Sequence, residues 1–423
     1  MKDNSKKHRS PWFWVPSLYF AEGIPYAIVA TSFAVTMYTK LGLSNAEVAF
    51  YTSWLYLPWV IKPFWSPFVD AFKTKRWWIL LTQLLVGAGL AGVAFCIPMD
   101  SFLQSTLFLL WLVAFSSATH DIAADGFYIL ALREKEQSFF VGIRSTFYRI
   151  SMIVGQGLLV YIAGFLEWKT KDVPYAWSLT FMVAAGVFLL FAGYHFFSLP
   201  RPESDVAVAD RKVMPAFEDS VSNFFKKKNI VISLLFVLLY RLGEAQLTKI
   251  ASPFLLDEVA EGGLGLSTKE VGVVYGTIGV LALTIGGILG GMAVSKHGLK
   301  KWLWPMVLSM NLPNLVYVYM AYFQPTDFYE ISSLVAVEQF GYGFGFTAFM
   351  LYLIYMSKGE FATSHYALCT GLMALGMMLP GMIAGWIQEQ IGYELFFVWV
   401  CLCTLPGFLL VKFLEFDDDF GRK

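Results

Sequence analysis

The chain has 423 residues, of which 57% are hydrophobic, 17% aromatic and only 15% charged. A soluble domain carries about 25% charged residues, so this composition leaves too little polar surface to cover a water-exposed globule. Lysine plus arginine and aspartate plus glutamate both total 31, a zero balance that gives no sign of a nucleic-acid binder or of a strongly acidic partner.

In chain order, the basic segment Lys2 to Arg9 precedes an apolar stretch reaching Tyr38. That stretch contains Pro16, Glu22 and Pro25 and shows no small-residue cleavage site, so it reads as a retained first span and not as a secretory leader. Crossing the hydrocarbon core takes about 20 apolar residues. Windows of that kind fall at 11–38, 46–69, 77–97, 105–131, 139–166, 176–198, 229–256, 270–295, 302–323, 331–357, 364–388 and 393–414. The expected fold is an all-α membrane protein of twelve transmembrane helices. With the N-terminus in the cytoplasm, the cytoplasmic segments hold 22 lysines and arginines and the outer loops hold 4. The positive-inside rule therefore places both termini in the cytoplasm.

The longest hydrophilic segment, 199–228, carries Pro200, Pro202, Pro215 and the run Lys226-Lys227-Lys228. It reads as a solvated linker between one six-helix bundle at 1–198 and a second at 229–423. An internal repeat supports the division. Leu41-Gly42-Leu43-Ser44-Asn45-Ala46-Glu47-Val48 follows the first span, and Leu264-Gly265-Leu266-Ser267-Thr268-Lys269-Glu270-Val271 follows the seventh. Serine with glutamate three residues later is a helix capping box, but capping does not explain the shared Leu-Gly-Leu. Duplicated halves are a recurrent construction in transporters.

Ten ionisable side chains fall well inside the spans: Glu22, Asp121, Asp125, Glu244 and Glu338 against Lys62, Arg144, Arg149, Arg241 and Lys249. Each costs roughly 2.5–3.5 kcal/mol at a helix centre on insertion scales, so they are expected to face one another or a wet cavity. Spans 3, 6, 9 and 12 hold no deep acid, lysine or arginine and are expected to face lipid. Asp121 and Asp125, four residues apart, share a helix face, whereas Arg144 and Arg149 point roughly 140° apart. Both cannot pair with that face across one straight interface. Arg149 is the expected partner, with Arg144 reaching for headgroups or another acid. Arg241 and Glu244 are spaced to pair within one helix. The alternative for all these charges is a set of ion pairs that only fixes helix packing. Two acids sharing one base, however, leave a carboxylate short of a full partner, which a proton-coupled carrier exploits. His120 adjoins Asp121 but points about 100° away and reads as a hydrogen-bonded packing residue.

Pro25, Pro58, Pro63 and Pro67 permit kinks in spans 1 and 2, and the glycines of spans 8 and 11 read as close packing. Trp54, Tyr56, Trp59 and Trp65 crowd span 2, where sugar stacking and interface anchoring compete as explanations. Cys96, Cys369, Cys401 and Cys403 lie in apolar runs without metal-type spacing. There is no G-x-x-x-x-G-K-[ST] phosphate loop to drive a pump, and Gly341-Tyr342-Gly343-Phe344-Gly345 lies within a span.

Three segments carry a family likeness: Lys62-Pro63-Phe64-Trp65-Ser66-Pro67-Phe68-Val69-Asp70, Asp121-Ile122-Ala123-Ala124-Asp125, and Phe147-Tyr148-Arg149 leading into Gly155-Gln156-Gly157. With these the chain resembles the major facilitator superfamily and, within it, the muropeptide permease branch. The superfamily's loop signature survives in part, as Ser66, Asp70 and Lys73-Thr74-Lys75-Arg76 and again as Gly291, Ser295, Gly298 and Lys300-Lys301. The resemblance implies two pseudo-symmetric six-helix bundles, with spans 1, 4, 7 and 10 lining a central cavity. It also implies a cytoplasmic gate at Asp70, Lys73 and Arg76.

Together these readings lead to an expectation of proton-coupled import of a muropeptide-like or other saccharide-containing solute by alternating access. The carrier would be a monomer in the bacterial cytoplasmic membrane, without cofactor, metal or enzymatic activity. Asp121, Asp125, Arg149, Glu22 and Glu338 are the candidate proton-coupling residues. Lys62, Trp59, Arg149, Arg241, Glu244 and Lys249 are the candidate substrate ligands. The alternatives are a carrier for an oligosaccharide, a siderophore-like ligand or an acyl-coenzyme, or a membrane-embedded transferase, which need not show duplicated halves.

Overall fold

A computed structural model describes residues 10–206, 213–359, 362–415, 417 and 420–422; the basic segment Lys2 to Arg9 lies outside the described residues. All regular structure among the described residues is helical. The first crossing is α1 (Val15–Ala30) and α2 (Ser32–Lys40), bent by 41°. The bend falls at Thr31, whose hydroxyl donates to the Ala27 carbonyl, and not at Pro25. The second is α3 (Asn45–Trp54) and α4 (Leu57–Ala71), broken just ahead of Pro58. Then come α5 (Lys75–Cys96), α6 (Phe102–Ala131), α7 (Glu134–Ile153) joined to α8 (Leu159–Thr170) by the wide π turn Val154–Leu158, and α9 (Val173–Ser198).

After α10 (Val213–Phe225) the order continues with α11 (Ile230–Leu239) and α12 (Leu242–Leu256), then α13 (Thr268–Val273), a second π turn at Val274–Gly279, and α14 (Val280–His297). The last group is α15 (Leu299–Asn311), α16 (Leu315–Phe323), α17 (Phe328–Ser357), α18 (Ala362–Leu402) and α19 (Leu405–Val411). Among the described residues, eight helical stretches are long and apolar enough to cross a membrane, and the α1–α2 pair makes a ninth. The 48-residue stretch Ser364–Val411 is interrupted at Gly392, where φ is 73°. With the broken pairs α3–α4 and α15–α16, the arrangement is consistent with twelve crossings.

Among the described residues of the linker, Val213–Phe225 form a helix. This helix, α10, lies on α18 with Phe224 fully buried, the Phe224 and His365 rings 5.3 Å apart, and His365 Nε2 3.1 Å from the Ser220 carbonyl oxygen. Ser220 and Phe224 stand four residues apart on one helical face, and the polar residues around them masked that face.

One end of the bundle, the terminal face, gathers the chain ends. Tyr194 donates to the Phe13 carbonyl, the Leu299 N–H donates to the Phe420 carbonyl at 2.9 Å, and Lys228 pairs with Glu415 at 2.9 Å. At the opposite loop face the two halves close on each other. Asn45 Nδ2 donates to Gln388 Oε1 at 2.8 Å and to the Tyr393 hydroxyl at 2.9 Å, the Ala46 N–H donates to Glu389 at 2.8 Å, and Thr268 donates to Glu167 at 2.6 Å. The repeated sequence builds this closure twice. Ser44 and Ser267 each cap a helix in a reciprocal box with Glu47 and Glu270, so α3 is aimed at α18 and α13 at α8. Asp257 joins the network by accepting from Tyr393. Burial raises its pKa, and hydrogen bonds from Tyr393 and Asn45 pull the other way.

Glycine permits the closest approaches. Gly385 has no room for a methyl group against the Asn45 carbonyl, and Gly276, in the second π turn, has none against the carbonyl of Gln156 in the first. Gly385→Val is therefore expected to cost the closed loop face about 1–3 kcal/mol, the usual range for overpacking. A melting temperature at or above that of the parent protein in detergent would show that the contact does not exist.

Candidate functional site

A cavity of about 530 Å³ lies between the halves, within the size range of small-molecule sites. Helical spacing builds its wall. Tyr19, Glu22 and Tyr26 share one face of α1, Ser145, Tyr148 and Met152 share one face of α7, and Gln339, Tyr342 and Phe346 share one face of α17. The lining residues come from crossings 1, 2, 4, 5, 7, 8, 10 and 11, a broader set than the 1, 4, 7 and 10 expected. The outer helices expose apolar side chains to the lipid position, such as Phe95, Leu190, Phe323 and Leu409.

The N-terminal half pairs its acids differently from expectation. Lys62 Nζ is 3.4 Å from Asp121 Oδ2, which also accepts from Trp59 Nε1 at 3.2 Å. Arg144 Nη1 is 3.0 Å from Asp125 Oδ1 and 2.9 Å from the Tyr19 hydroxyl, with its guanidinium over the Tyr19 and Tyr128 rings. Arg144, not Arg149, is thus the aspartate partner on α7. The two-helix argument failed because a third helix, α4, supplies the second base. Lys62 and Trp59 are held against Asp121 and are not among the cavity-lining residues.

Arg149 lines the cavity and reaches the other half, where a methyl group on Gly287 would stand 3.6 Å from its Nη1. Arg241 and Glu244 both line the cavity but make no intrahelical pair. The chain is irregular at Arg241, which caps α12. Its guanidinium donates to the Tyr342 hydroxyl and lies 4.8 Å from the Phe346 ring. Both Glu244 oxygens are buried without a hydrogen-bond partner among the described residues. Lys249 donates to Thr52 at 3.0 Å, across the halves, with its ammonium 5.0 Å from the Tyr56 ring centre. Among the described residues, Arg149, Arg241 and Lys249 have no carboxylate partner within ion-pair distance, so the cavity wall offers three cations outside ion pairs beside the acids Glu22 and Glu244.

Glu22 lines the cavity, and its carboxylate lies beside His120 and Asp121, with one ligating atom of each within 4.8 Å of the others. Glu338 is fully buried and accepts from Gln339 at 2.9 Å. Of the expected gate residues, Asp70 lies in the last turn of α4 with its side chain outside the described residues, and Lys73 sits exposed in a left-handed turn with φ 65°. Arg76 is tied to its own half, through the Phe196 carbonyl and through its N–H to Asp205 at 3.0 Å. Tyr19, Tyr26, Tyr148 and Tyr342 were not among the candidate site residues, because the sequence reading counted charges. The i, i+3, i+7 spacing of Tyr19 and Tyr26 around Glu22 was the signal for them.

The family profile of the Major Facilitator Superfamily matches residues 17–358. Anhydromuropeptide permease of Escherichia coli (strain K12) is 27% identical over 399 residues, covering 93% of this chain and 77% of the permease. A D-xylose–proton symporter overlays with a TM-score of 0.72 at 13% identity, across 97% of this chain and 98% of that one. A bacterial homolog of the human lysosomal transporter Spinster, solved inward-facing and unoccupied, gives 0.69 at 16% identity, across 97% and 96%. At such identities the structural likeness carries the fold alone.

Removing one member of the Lys62–Asp121 pair strands the other. Lys62→Met is expected to destabilise the protein by roughly 1–3 kcal/mol, less than a fully buried pair because the lysine side chain keeps 28% of its exposure. The double change Lys62→Met with Asp121→Leu is expected to recover most of that loss. Equal melting temperatures for the single and double variants would contradict the pairing.

Proposed function

We propose, for a chain that belongs to the Major Facilitator Superfamily, the proton-coupled import of muropeptide-like, saccharide-containing solutes across the bacterial cytoplasmic membrane. The observation that carries the reading is the division of charge around the cavity. Acids paired to bases stand in the N-terminal half, and Arg241 and Lys249 stand without carboxylate partners in the other, with Arg149 reaching between them. Solutes with carboxylates and sugar rings suit such a wall, because guanidinium groups bind carboxylates and aromatic faces stack on rings. The 27% identity to a permease for anhydromuropeptides, over 93% of this chain, supports the same class of cargo.

In this reading the bundles 1–198 and 229–423 rock about the cavity, with the termini in the cytoplasm. The bonds at Asn45, Ala46 and Thr268 then hold the outer side shut. Asp121 and Asp125, with Glu22, take up the proton, and Glu338 offers a second buried carboxyl. Protonating Asp121 frees Lys62 from its ion pair and so alters the field felt by an anionic solute. Arg149, Arg241 and Lys249 bind the anionic groups, Glu244 tempers the charge of Arg241, and Asp70, Lys73 and Arg76 steady the cytoplasmic gate.

Uptake of labelled anhydromuropeptide into right-side-out vesicles tests the proposal. Asp121→Asn is expected to abolish accumulation against a gradient while leaving counterflow. Arg149→Ala is expected to raise KM by about tenfold, the equivalent of about 1.4 kcal/mol. Undiminished gradient-driven accumulation in both variants would remove these residues from the mechanism, and competition by an unrelated oligosaccharide but not by muropeptide would reassign the cargo.

A further inference from the structure

A line of polar side chains, buried except for the half-buried Ser17 at its outer end, runs through the N-terminal half behind the cavity wall. The Ser17 hydroxyl lies 2.9 Å from His195 Nε2 and 3.2 Å from the Trp14 carbonyl oxygen. His195 Nδ1 is 3.0 Å from Gln83 Oε1, and Gln83 Nε2 is 3.0 Å from His120 Nε2. Gln83 and His195 have no exposed surface and His120 keeps 3%. The inner end of the line is the cluster of His120, Glu22 and Asp121. There His120 Nδ1 and Glu22 Oε2 are both buried without a hydrogen-bond partner among the described residues, a costly arrangement unless something joins them. The Lys62 ammonium already offsets one of the two carboxylates. One further positive charge, a proton, balances the cluster, whereas a divalent metal ion would overshoot it.

The links of such a line are not independent. A neutral imidazole has one N–H and one lone pair, and an amide has one donating and one accepting end, so the sense of one link sets the sense of all. In the orientation observed, the Gln83 amide N–H donates to His120 Nε2, its oxygen accepts from His195 Nδ1–H, and the Ser17 hydroxyl donates to His195 Nε2. The His120 proton is then on Nδ1, a donor toward Glu22 and Asp121, which suits ionised carboxylates. With the amide turned over, His120 Nε2–H donates to Gln83, Gln83 donates to His195 Nδ1, His195 Nε2–H donates to Ser17, and Ser17 donates to the Trp14 carbonyl. His120 Nδ1 is then a lone pair, which suits a Glu22 carboxyl whose O–H donates to it. Both senses hold the same number of protons along the line, and the added proton resides on Glu22. A glutamine amide does not pass protons on, so the line orients and does not conduct.

We propose that Ser17, His195 and Gln83 are positioning residues that act through His120, the sense of their hydrogen bonds setting how readily Glu22 holds a proton. This rests on the reading of Glu22 and Asp121 as a proton site. The other groups facing Glu22 are Tyr19 on α1, Asp121 and Asp125 on α6, Lys62 on α4, and Arg144 and Tyr148 on α7, while His195 on α9 faces His120. None of them ties into the Trp14 carbonyl, so the Ser17 end separates the line from its surroundings.

The test is an infrared titration of the carboxyl stretch of the full chain in lipid vesicles, with the Glu22 band assigned by its loss in Glu22→Gln. Ser17→Ala costs the observed sense one hydrogen bond, to His195, and the protonated sense two, from His195 and to Trp14, so it disfavours the protonated sense. The band is expected to titrate about half a pH unit or more lower, the scale of one lost hydrogen bond, and Ser17→Thr is expected to restore the parent value. In a Gln83→Met background, where the line is cut, Ser17→Ala is expected to move nothing. Coincident titrations of the parent, Ser17→Ala and Ser17→Thr would overturn the proposal, as would an equal shift with Gln83→Met in place. Anhydromuropeptide uptake that ignores the proton gradient, alongside the expected band shifts, would sink the coupling reading and leave the positioning line standing.

Discussion

A charged side chain in a low-dielectric bundle must find an opposite charge, a hydrogen-bond partner or water, and the interior of this protein is arranged around that requirement. The N-terminal half meets it with ion pairs. Lys62 on α4 and Arg144 on α7 approach the two-aspartate face of α6 from either side, so three helices are fixed in rotation by Asp121 and Asp125. Trp59 and Tyr19 complete the hydrogen bonding of those carboxylates. The other half meets the same requirement with aromatic faces. Arg241 rests on Tyr342 and Phe346, and Lys249 reaches across to Tyr56. Cations held by π faces have no carboxylate in contact and remain able to accept an anion.

That asymmetry gives the cavity its chemical direction. Ion-paired acids stand in the N-terminal half, and Arg241 and Lys249 stand without ion pairs among the described residues of the other. A change at Asp121 or Glu22 therefore alters the field in a space walled by Arg149, Arg241 and Lys249. The hydrogen-bonded line from Ser17 to His120 adds a neutral means of adjusting that charge from behind the wall.

Features that depend on local pattern were legible in the sequence. The membrane crossings follow from apolar length, and the repeated Leu-Gly-Leu-Ser segments foretold the two capping boxes because a capping box spans only four residues. The ten deep charges were found because each is anomalous in its window. Partner choice was not legible. Rotating Arg144 and Arg149 about an ideal helix considered one interface, whereas Asp121 is satisfied by Lys62, 59 positions away. Gln83 and His195 were passed over because neither carries a full charge and their links span 37, 112 and 178 positions. The helix in the linker was hidden by averaging, since one buried face with Phe224 is diluted by the charged residues beside it.

The two π turns have a mechanical consequence. Where Gly276 meets the Gln156 carbonyl, the halves touch main chain to main chain. Side chains that interdigitate must change rotamer to slide, but bare backbone has nothing to unlock. This glycine contact therefore has the character of a smooth bearing. Resistance to swivelling one half on the other falls instead on the polar latch around Asn45 and Glu167, at the rim, where leverage is greatest and water is at hand to replace each bond as it breaks.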